Sequence, residues 1–230
     1  MTIVALRARL AHVLWIGGPP DAGKSTVAAS LGRRYELPVY HFDRHEPAHF
    51  ARADPARYPA LYASHPDRLG PEERWLGGTP AAMARHTLAS WGERVRMACD
   101  DLLALPATGP ILAEGPGFFP DVLLPLLADP RRAVWLVPTP AFARASLLRR
   151  AKLAGMPLSD LARARENLHA RDLLLGAHVA ATARAHDLTV IQIDETTGPD
   201  VVAALVAARF APFLSERVVK RSPWSVVRGP

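Results

Sequence analysis

The strongest constraint on the fold is a glycine-rich segment, Gly18-Pro-Pro-Asp-Ala-Gly-Lys-Ser25. It fits the pattern G-x-x-x-x-G-K-[ST] at every defined position. The short apolar run His12–Ile16 precedes it, and Lys24–Tyr35 follows it with apolar residues at helical spacing. In such a strand–loop–helix unit, backbone N–H groups and the amino end of the helix face a bound phosphate. The segment therefore predicts a phosphate-binding loop.

The side chains of this loop indicate a nucleoside triphosphate, with ATP and Mg²⁺ as the expected pair. We expect Lys24 to reach the β and γ phosphates and the Ser25 hydroxyl to ligate Mg²⁺. The sequence leaves the preference between ATP and GTP open. The residues predicted to contact the nucleotide are Gly18, Asp21, Ala22, Gly23, Lys24, Ser25 and Thr26.

Apolar strand patterns alternate with helical patterns along the chain, which predicts an α/β fold with a mainly parallel sheet. The predicted strands are His12–Ile16, Pro38–Phe42, Pro110–Ala113, Ala133–Val137 and Leu188–Ile193. The predicted helices are Lys24–Tyr35, Thr79–Leu105, Ala141–Leu153, Leu161–Ala185 and Pro199–Phe210. We treat the chain as a single domain whose last residues, 221–230, form an extended tail.

The segment 44–107 separates strands two and three by more than a usual crossover. Its first half is rich in Pro, His, Arg and Asp, and its second half predicts the long helix Thr79–Leu105. Long insertions in compact domains are commonly functional. We therefore predict that residues 44–107 bind the acceptor. Trp75 and Trp91 fit either a core or a binding platform, and dimerisation through this insertion stays open.

Two acidic residues stand at predicted strand ends, where ligands bind in open α/β sheets. Asp43 follows strand two and opens the insertion, so it is assigned as the base that accepts a hydroxyl proton. Glu114 follows strand three and is assigned to Mg²⁺. The reverse assignment of the two carboxylates is open. Gly115 and Gly117 are interpreted as leaving room for a substrate to approach.

Three motifs, GPPDAGKST, HFDRHE and ILAEG, occur in this order and resemble the P-loop small-molecule kinases. Uridine kinase, gluconate kinase and chloramphenicol phosphotransferase are of this type. The resemblance implies a five-stranded parallel sheet in the order 2-3-1-4-5, with helices on both faces. It also implies that Asp43 is the acceptor-side base and that the loop Asp194–Gly198 passes the adenine.

Kinases of this type carry arginines on a mobile lid after strand four, and the resemblance places such a lid at residues 149–172. A Gly/Pro break at Gly155–Pro157 would act as its joint. Arginine stabilises charge on a transferred phosphoryl group. Arg150 and Arg171 flank the segment and are our choices, from the candidates Arg149, Arg150, Arg163, Arg165 and Arg171.

Composition narrows the class of partner. The chain has 230 residues, a net charge of +6 and a pI of about 10.1. No basic run is interleaved with aromatics, so a nucleic-acid partner is not expected. Cys99 is the only cysteine, which excludes an internal disulfide and fits a reducing compartment. Apolar stretches are too short to span a membrane, so we expect a cytoplasmic protein without a membrane partner.

Three histidines, His41, His45 and His49, recur at intervals of four. No Cys or acid completes a ligand set, so a metal site is not predicted there. His45 or His49 is instead a candidate to line the acceptor pocket.

The leading hypothesis is an ATP-dependent kinase that phosphorylates a hydroxyl group of a metabolite, nucleoside or antibiotic. The alternatives are a regulatory P-loop NTPase and a polynucleotide or toxin-type kinase that acts on a large substrate.

Overall fold

The computed structural model describes residues 2–106 and 108–214, so the tail predicted at 221–230 lies outside the described residues. Five parallel strands form one sheet in the order β2-β3-β1-β4-β5. This confirms the predicted α/β fold and strand order. The strands are β1 (Val13–Gly17), β2 (Val39–His41), β3 (Ile111–Glu114), β4 (Ala133–Pro138) and β5 (Val190–Ile193).

Helices connect the strands and cover the sheet. Thr79 and Thr139 each cap a helix that starts with proline, by accepting a hydrogen bond from the third following backbone N–H. The helices are α1 (Ile3–Arg9), α2 (Lys24–Tyr35), α3 (Glu46–Ala51), α4 (Pro59–Ala63), α5 (Pro71–Leu76), α6 (Pro80–Ala104), α7 (Pro120–Leu123), α8 (Pro140–Arg149), α9 (Leu161–Ala185) and α10 (Pro199–Phe210).

Alternate side chains of β1 serve two separate cores. Trp15 packs in a cluster that contains residues of α6 and α9 on one face of the sheet. Leu14 and Ile16 pack with residues of α2 and α10 on the other face. All of β1 is buried, as expected for the central strand of a sheet covered on both sides. Cys99 is buried, and burial raises the pKa of its thiol to about 12.

The structure contains helices that the sequence did not predict. Helix α1 precedes β1, and α3, α4 and α5 lie in the first half of the insertion. One predicted helix end was also wrong. Helix α8 ends at Arg149 instead of Leu153. Ala151, Leu153 and Gly155 all have positive φ, so the chain leaves the helix and turns Leu153 into a small apolar cluster.

The insertion is fixed to the sheet by a polar network around Asp101 of α6. The Asp101 carboxylate accepts hydrogen bonds from Tyr40 on β2 and Arg52, and it lies 2.8 Å from Nε2 of His49. Burial opposes ionisation of Asp101, but the bonds to His49, Arg52 and Tyr40 outweigh it and lower its pKa. Helix α6, the end of β2 and α3 are thereby held together.

We expect Asp101→Asn to lower the free energy of unfolding by about 1–2 kcal/mol, because charge-assisted hydrogen bonds are lost. Urea denaturation would measure it. Asp100→Asn removes the neighbouring, exposed carboxylate and should change stability by less than about 0.5 kcal/mol. Equal losses in the two variants would contradict a special role for Asp101.

Candidate active site

The phosphate loop joins β1 to α2 in a conformation that requires glycine. Gly18 has φ +124°, and a Cβ there would lie 2.0 Å from the carbonyl oxygen of Leu136 on β4. Gly18 therefore shapes the loop against the sheet and does not itself line the cavity described below. Gly23, with φ +79°, turns the chain directly into α2. Because the loop follows the carboxyl end of β1, its backbone lies at the carboxyl edge of the parallel sheet.

Lys24 is buried inside the loop, where its Nζ donates a hydrogen bond of 2.6 Å to the Pro19 carbonyl. Burial lowers the pKa of this ammonium group, and the nearby carboxylates of Glu114 and Asp43 oppose that effect. Lys24 has no carboxylate within ion-pair distance among the described residues. Its ammonium group is thus fixed by the Pro19 carbonyl, and it lines a cavity from which a phosphate group could reach it.

Ser25 and Glu114 meet on the floor of the site. The Ser25 hydroxyl donates to Oε1 of Glu114 over 3.1 Å, and Nδ1 of His41 lies 2.7 Å from the same oxygen. His41 and Glu114 are register partners on β2 and β3, so the sheet itself creates this contact. Hydroxyl and carboxylate oxygens are the ligands that Mg²⁺ prefers, so Ser25 and Glu114 fit the ion. Sequence reasoning missed His41, whose place at the end of a neighbouring strand was the available signal.

Asp43 lies in a 3₁₀ turn, Phe42–His45, directly after β2. Its side chain lines the cavity and is exposed there, and the protein packed around it displaces only part of its hydration. This partial burial raises the pKa of Asp43, against the opposing charges of Lys24 and Arg94. The structure thus brings Asp43 to the phosphate loop with a carboxyl group that holds its proton more tightly than usual.

Arg94 of α6, which the sequence did not single out, holds this turn in place. Its guanidinium donates to the carbonyl of Phe42 and to Glu46, both over 2.8 Å, and lies 4.0 Å from the Phe42 ring centroid. Arg94 is only 1% exposed. No motif marks it, because its partners are 45 to 52 residues away in the chain.

Gly115 and Gly117 do not leave room for a substrate, so that interpretation was wrong. A Cβ at Gly115 would lie 2.3 Å from Cβ of Phe42, and one at Gly117 would lie 2.5 Å from Cζ of the same ring. The two glycines accommodate Phe42, which precedes Asp43. Their absent side chains position the candidate base indirectly.

The three histidines that recur at intervals of four, His41, His45 and His49, are directed to different partners. His41 contacts Glu114, and His49 is fully buried against Asp101. The His45 ring stacks on Tyr40 with centroids 4.2 Å apart. Neither His45 nor His49 lines the cavity next to the phosphate loop, so the alternative role proposed for them was wrong.

The segment after α8 contacts the phosphate loop through two cations. Arg150 and Lys152 bind the two carboxylate oxygens of Asp21 over 3.1 and 2.7 Å. Lys152 was not among the predicted site residues. Arg163 and Arg165 instead donate to backbone carbonyls of α5 and of the segment itself.

Arg171 reaches the same site from α9. It binds the Asp172 carboxylate over 2.6 Å, and its guanidinium lies 5.0 and 5.9 Å from the ring centroids of Trp75 and Trp91. The two tryptophans therefore form walls of the site around an arginine.

One cavity of about 350 Å³ connects these groups. The phosphate loop supplies one side of it and the insertion supplies the other. The predicted site residues that line it are Asp21, Gly23, Lys24, Ser25, Thr26, Asp43, Glu114, Arg150 and Arg171; insertion residues that line it include Arg74, Trp75, His86, Thr87, Ser90 and Trp91.

A second cavity, of about 410 Å³, adjoins the loop, and no residue of the insertion lines it. Ala22 and Thr26 line it together with Phe142 of α8 and with Glu195 and Thr197, which follow β5. This is the place where the sequence analysis expects the loop Asp194–Gly198 to pass a nucleotide base.

Residues 149–172, which the sequence analysis predicted as a lid, share a small apolar core with the end of α8 and with the insertion, and we call it the bridging core. Leu147, Leu153, Ala164 and Leu168 pack there with Trp75, Leu76, Leu158 and Leu161. Ser159 donates from both its backbone and its hydroxyl to Glu72, and Asn167 donates to the carbonyl of Trp75. The two parts that flank the cavity are therefore joined to each other.

Comparisons with solved structures support the fold. The chain is similar to TT1252 of Thermus thermophilus, with a TM-score of 0.50 and 21% identity, over 88% of this chain and 98% of that chain. It also matches a shikimate kinase of Acinetobacter baumannii (TM-score 0.48, 16% identity, 93% and 100% of the two chains) and a sugar kinase of Janibacter sp. (TM-score 0.43, 14% identity, 87% and 95%). At 21% identity, the likeness to TT1252 concerns the architecture of the fold alone. No family model and no curated protein sequence matches the chain.

Within residues 2–106 and 108–214, no helix combines the length and the apolar character needed to cross a bilayer.

We expect His41→Ala to raise the Mg²⁺ concentration needed for half-maximal ATP binding by roughly 10-fold, because His41 orients Glu114 from behind. Titration of Mg²⁺ at fixed ATP, followed by calorimetry, would measure the shift. His186→Ala is the control, since His186 is exposed and lines neither cavity. An unchanged Mg²⁺ requirement in His41→Ala would contradict this role.

Proposed function

We propose that the chain is an ATP- and Mg²⁺-dependent phosphotransferase that moves the γ-phosphoryl group to a hydroxyl group of a small molecule. The observation that supports this most directly is the shared cavity. Lys24, Ser25 and Asp43 line the same space as Ser90 and Trp91 of the insertion. A nucleotide bound in the phosphate loop would therefore face a space large enough for a second, small reactant.

On the donor side, the backbone of the loop and Lys24 bind the phosphates. The nucleotide base lies in the second cavity, next to the residues that follow β5. Ser25 and Glu114 hold Mg²⁺, which when bound offsets negative charge on the β and γ phosphates. Lys24 already lies in a buried position, so little reorganisation is needed when the anion arrives.

On the acceptor side, Asp43 accepts the proton of the attacking hydroxyl group. A general base works best when its pKa approaches the working pH. Partial burial raises the pKa of Asp43 and so shifts it in that direction. Glu114 suits this role less, because it is 3% exposed and one of its oxygens already contacts Ser25 and His41. These contacts favour Asp43 as base and Glu114 as metal ligand.

Charge on the transferred group is balanced by the lid. Arg150 and Lys152 are bound to Asp21 in this structure, at the edge of the phosphate loop. A γ-phosphate competes with the Asp21 carboxylate for these cations, because both present anionic oxygens to them. Arg171 completes the set from the side of α9.

The alternatives find less support in the geometry. A cavity of about 350 Å³ fits a small acceptor better than a polynucleotide or a folded protein. A purely regulatory NTPase would have no need of the space lined by the insertion. The acceptor-binding role of residues 44–107 is accordingly part of the proposal.

We expect Asp43→Asn to lower kcat for phosphorylation of an acceptor by roughly 10²–10⁴-fold, because the proton acceptor is lost. ATP affinity should change little. The assay follows ATP turnover with and without a pool of small metabolites, and mass spectrometry detects gain of one phosphoryl group. Asp200→Asn, at an exposed site on α10, is the matched control. Strong ATP hydrolysis that needs no acceptor and survives Asp43→Asn would overturn the proposed function.

The rate should also depend on pH through Asp43. The group must be ionised to accept a proton, and burial raises its pKa, so kcat/KM falls as the pH drops through this raised pKa. The acid limb is expected above the usual range for an aspartate. It should disappear from the residual activity of Asp43→Asn. An acid limb that is identical in both proteins would assign it to another group.

A further inference from the structure

Six cationic side chains line the cavity, and four of them have carboxylate partners. Arg150 and Lys152 bind Asp21, Arg94 binds Glu46, and Arg171 binds Asp172. In the described part of the chain, the other two, Lys24 and Arg74, have no carboxylate within ion-pair distance. Lys24 lies at the phosphate loop, where the proposed function supplies an anion. Arg74 belongs to the insertion.

The hydrogen bonds of Arg74 leave much of its guanidinium available. Both of its bonds within residues 2–106 and 108–214 come from one nitrogen, Nη2, which donates to the carbonyls of Ser64 (2.7 Å) and Leu69 (3.4 Å). These bonds orient the side chain, but carbonyl oxygens do not neutralise its charge. A purely structural role would require nothing more of the guanidinium than Nη2.

Arg74 is half-buried, so its guanidinium has lost part of its hydration without gaining a carboxylate partner in the described part of the chain. Burial lowers the pKa of the guanidinium, and the charge of Arg171 adds to that effect, while Glu46 opposes it. An arginine keeps its charge under such conditions, so the site without a ligand has an unfavourable desolvation cost. The planar fork of a guanidinium matches the oxygens of a carboxylate or a phosphate, which would offset that cost.

We propose that the acceptor carries an anionic oxygen group, a carboxylate or a phosphate, that binds Arg74, in addition to the hydroxyl group that faces Asp43. This inference rests on the proposed function and narrows its substrate class. The neighbouring walls are Trp75, Trp91 and the hydroxyl-bearing face of α6 at Thr87 and Ser90. They suit a compact, hydroxylated molecule whose charged end is bound by the insertion.

The test uses the full chain and a small-molecule cell extract that is divided on an anion exchanger at neutral pH. Each fraction is incubated with the protein, Mg²⁺ and ATP labelled in the γ-phosphate. We expect label to enter a molecule of the retained, anionic fraction. Label that enters only the unretained fraction would overturn the inference and leave the proposed function intact. No labelled product in either fraction would overturn the proposed function, and the inference with it.

A parallel arm identifies the anion. The retained fraction is treated with immobilised alkaline phosphatase before the assay. Labelling that survives indicates a carboxylate, and labelling that is lost indicates a phosphate ester.

Variants then test the residue itself with the labelled acceptor. We expect Arg74→Gln to raise the KM for this acceptor roughly 10- to 100-fold, because a charge-assisted hydrogen bond between the guanidinium and the acceptor is removed. Arg74→Lys should fall between the two proteins, and it serves if the glutamine variant does not fold. Arg85→Gln removes an exposed arginine of α6 outside the cavity and should leave KM unchanged. An Arg74→Gln protein that folds and keeps the wild-type KM would contradict the assignment.

Discussion

The architecture of the site depends on one buried carboxylate, that of Glu114 at the end of β3. Removing a carboxylate from water is unfavourable unless donors replace the water. Ser25 from α2 and the ring of His41 from β2 contact the same oxygen of Glu114. The phosphate loop and the edge strand must therefore keep their register with β3. The same register places the turn that carries Asp43, two residues after His41.

A second buried charge organises the acceptor side. Arg94 reaches from α6 to the turn of Asp43, and Asp101 on the same helix binds the end of β2 and α3. The insertion is thus fixed to the sheet next to the candidate base. Glu114 on the sheet and Arg94 on α6 are both buried, and together they fix the position of the Asp43 carboxylate. Rigid support of this kind keeps a proton acceptor in register with its substrate.

The parts that the sequence predicted are those encoded locally. The loop between β1 and α2 and helices such as Leu161–Ala185 follow from motifs and periodicity within short windows. The strand order was instead implied by the resemblance to P-loop kinases. The roles of Arg94 and His41 were not predicted, because they arise only when distant segments meet. Gly115 and Gly117 show a further limit: a glycine indicates that space is needed, but not which group fills it. Here the group is the ring of Phe42.

The bridging core links the lid to the insertion through buried side chains such as Leu153 and Trp75 and through the Glu72–Ser159 hydrogen bonds. Displacing one of these parts alone would expose apolar surface that is now shared. Under the proposed function, a nucleotide that holds residues 149–172 in place would also stabilise the cavity walls that the insertion contributes. Thermodynamic linkage makes this reciprocal: the factor by which one ligand changes the affinity for the other is the same in both directions.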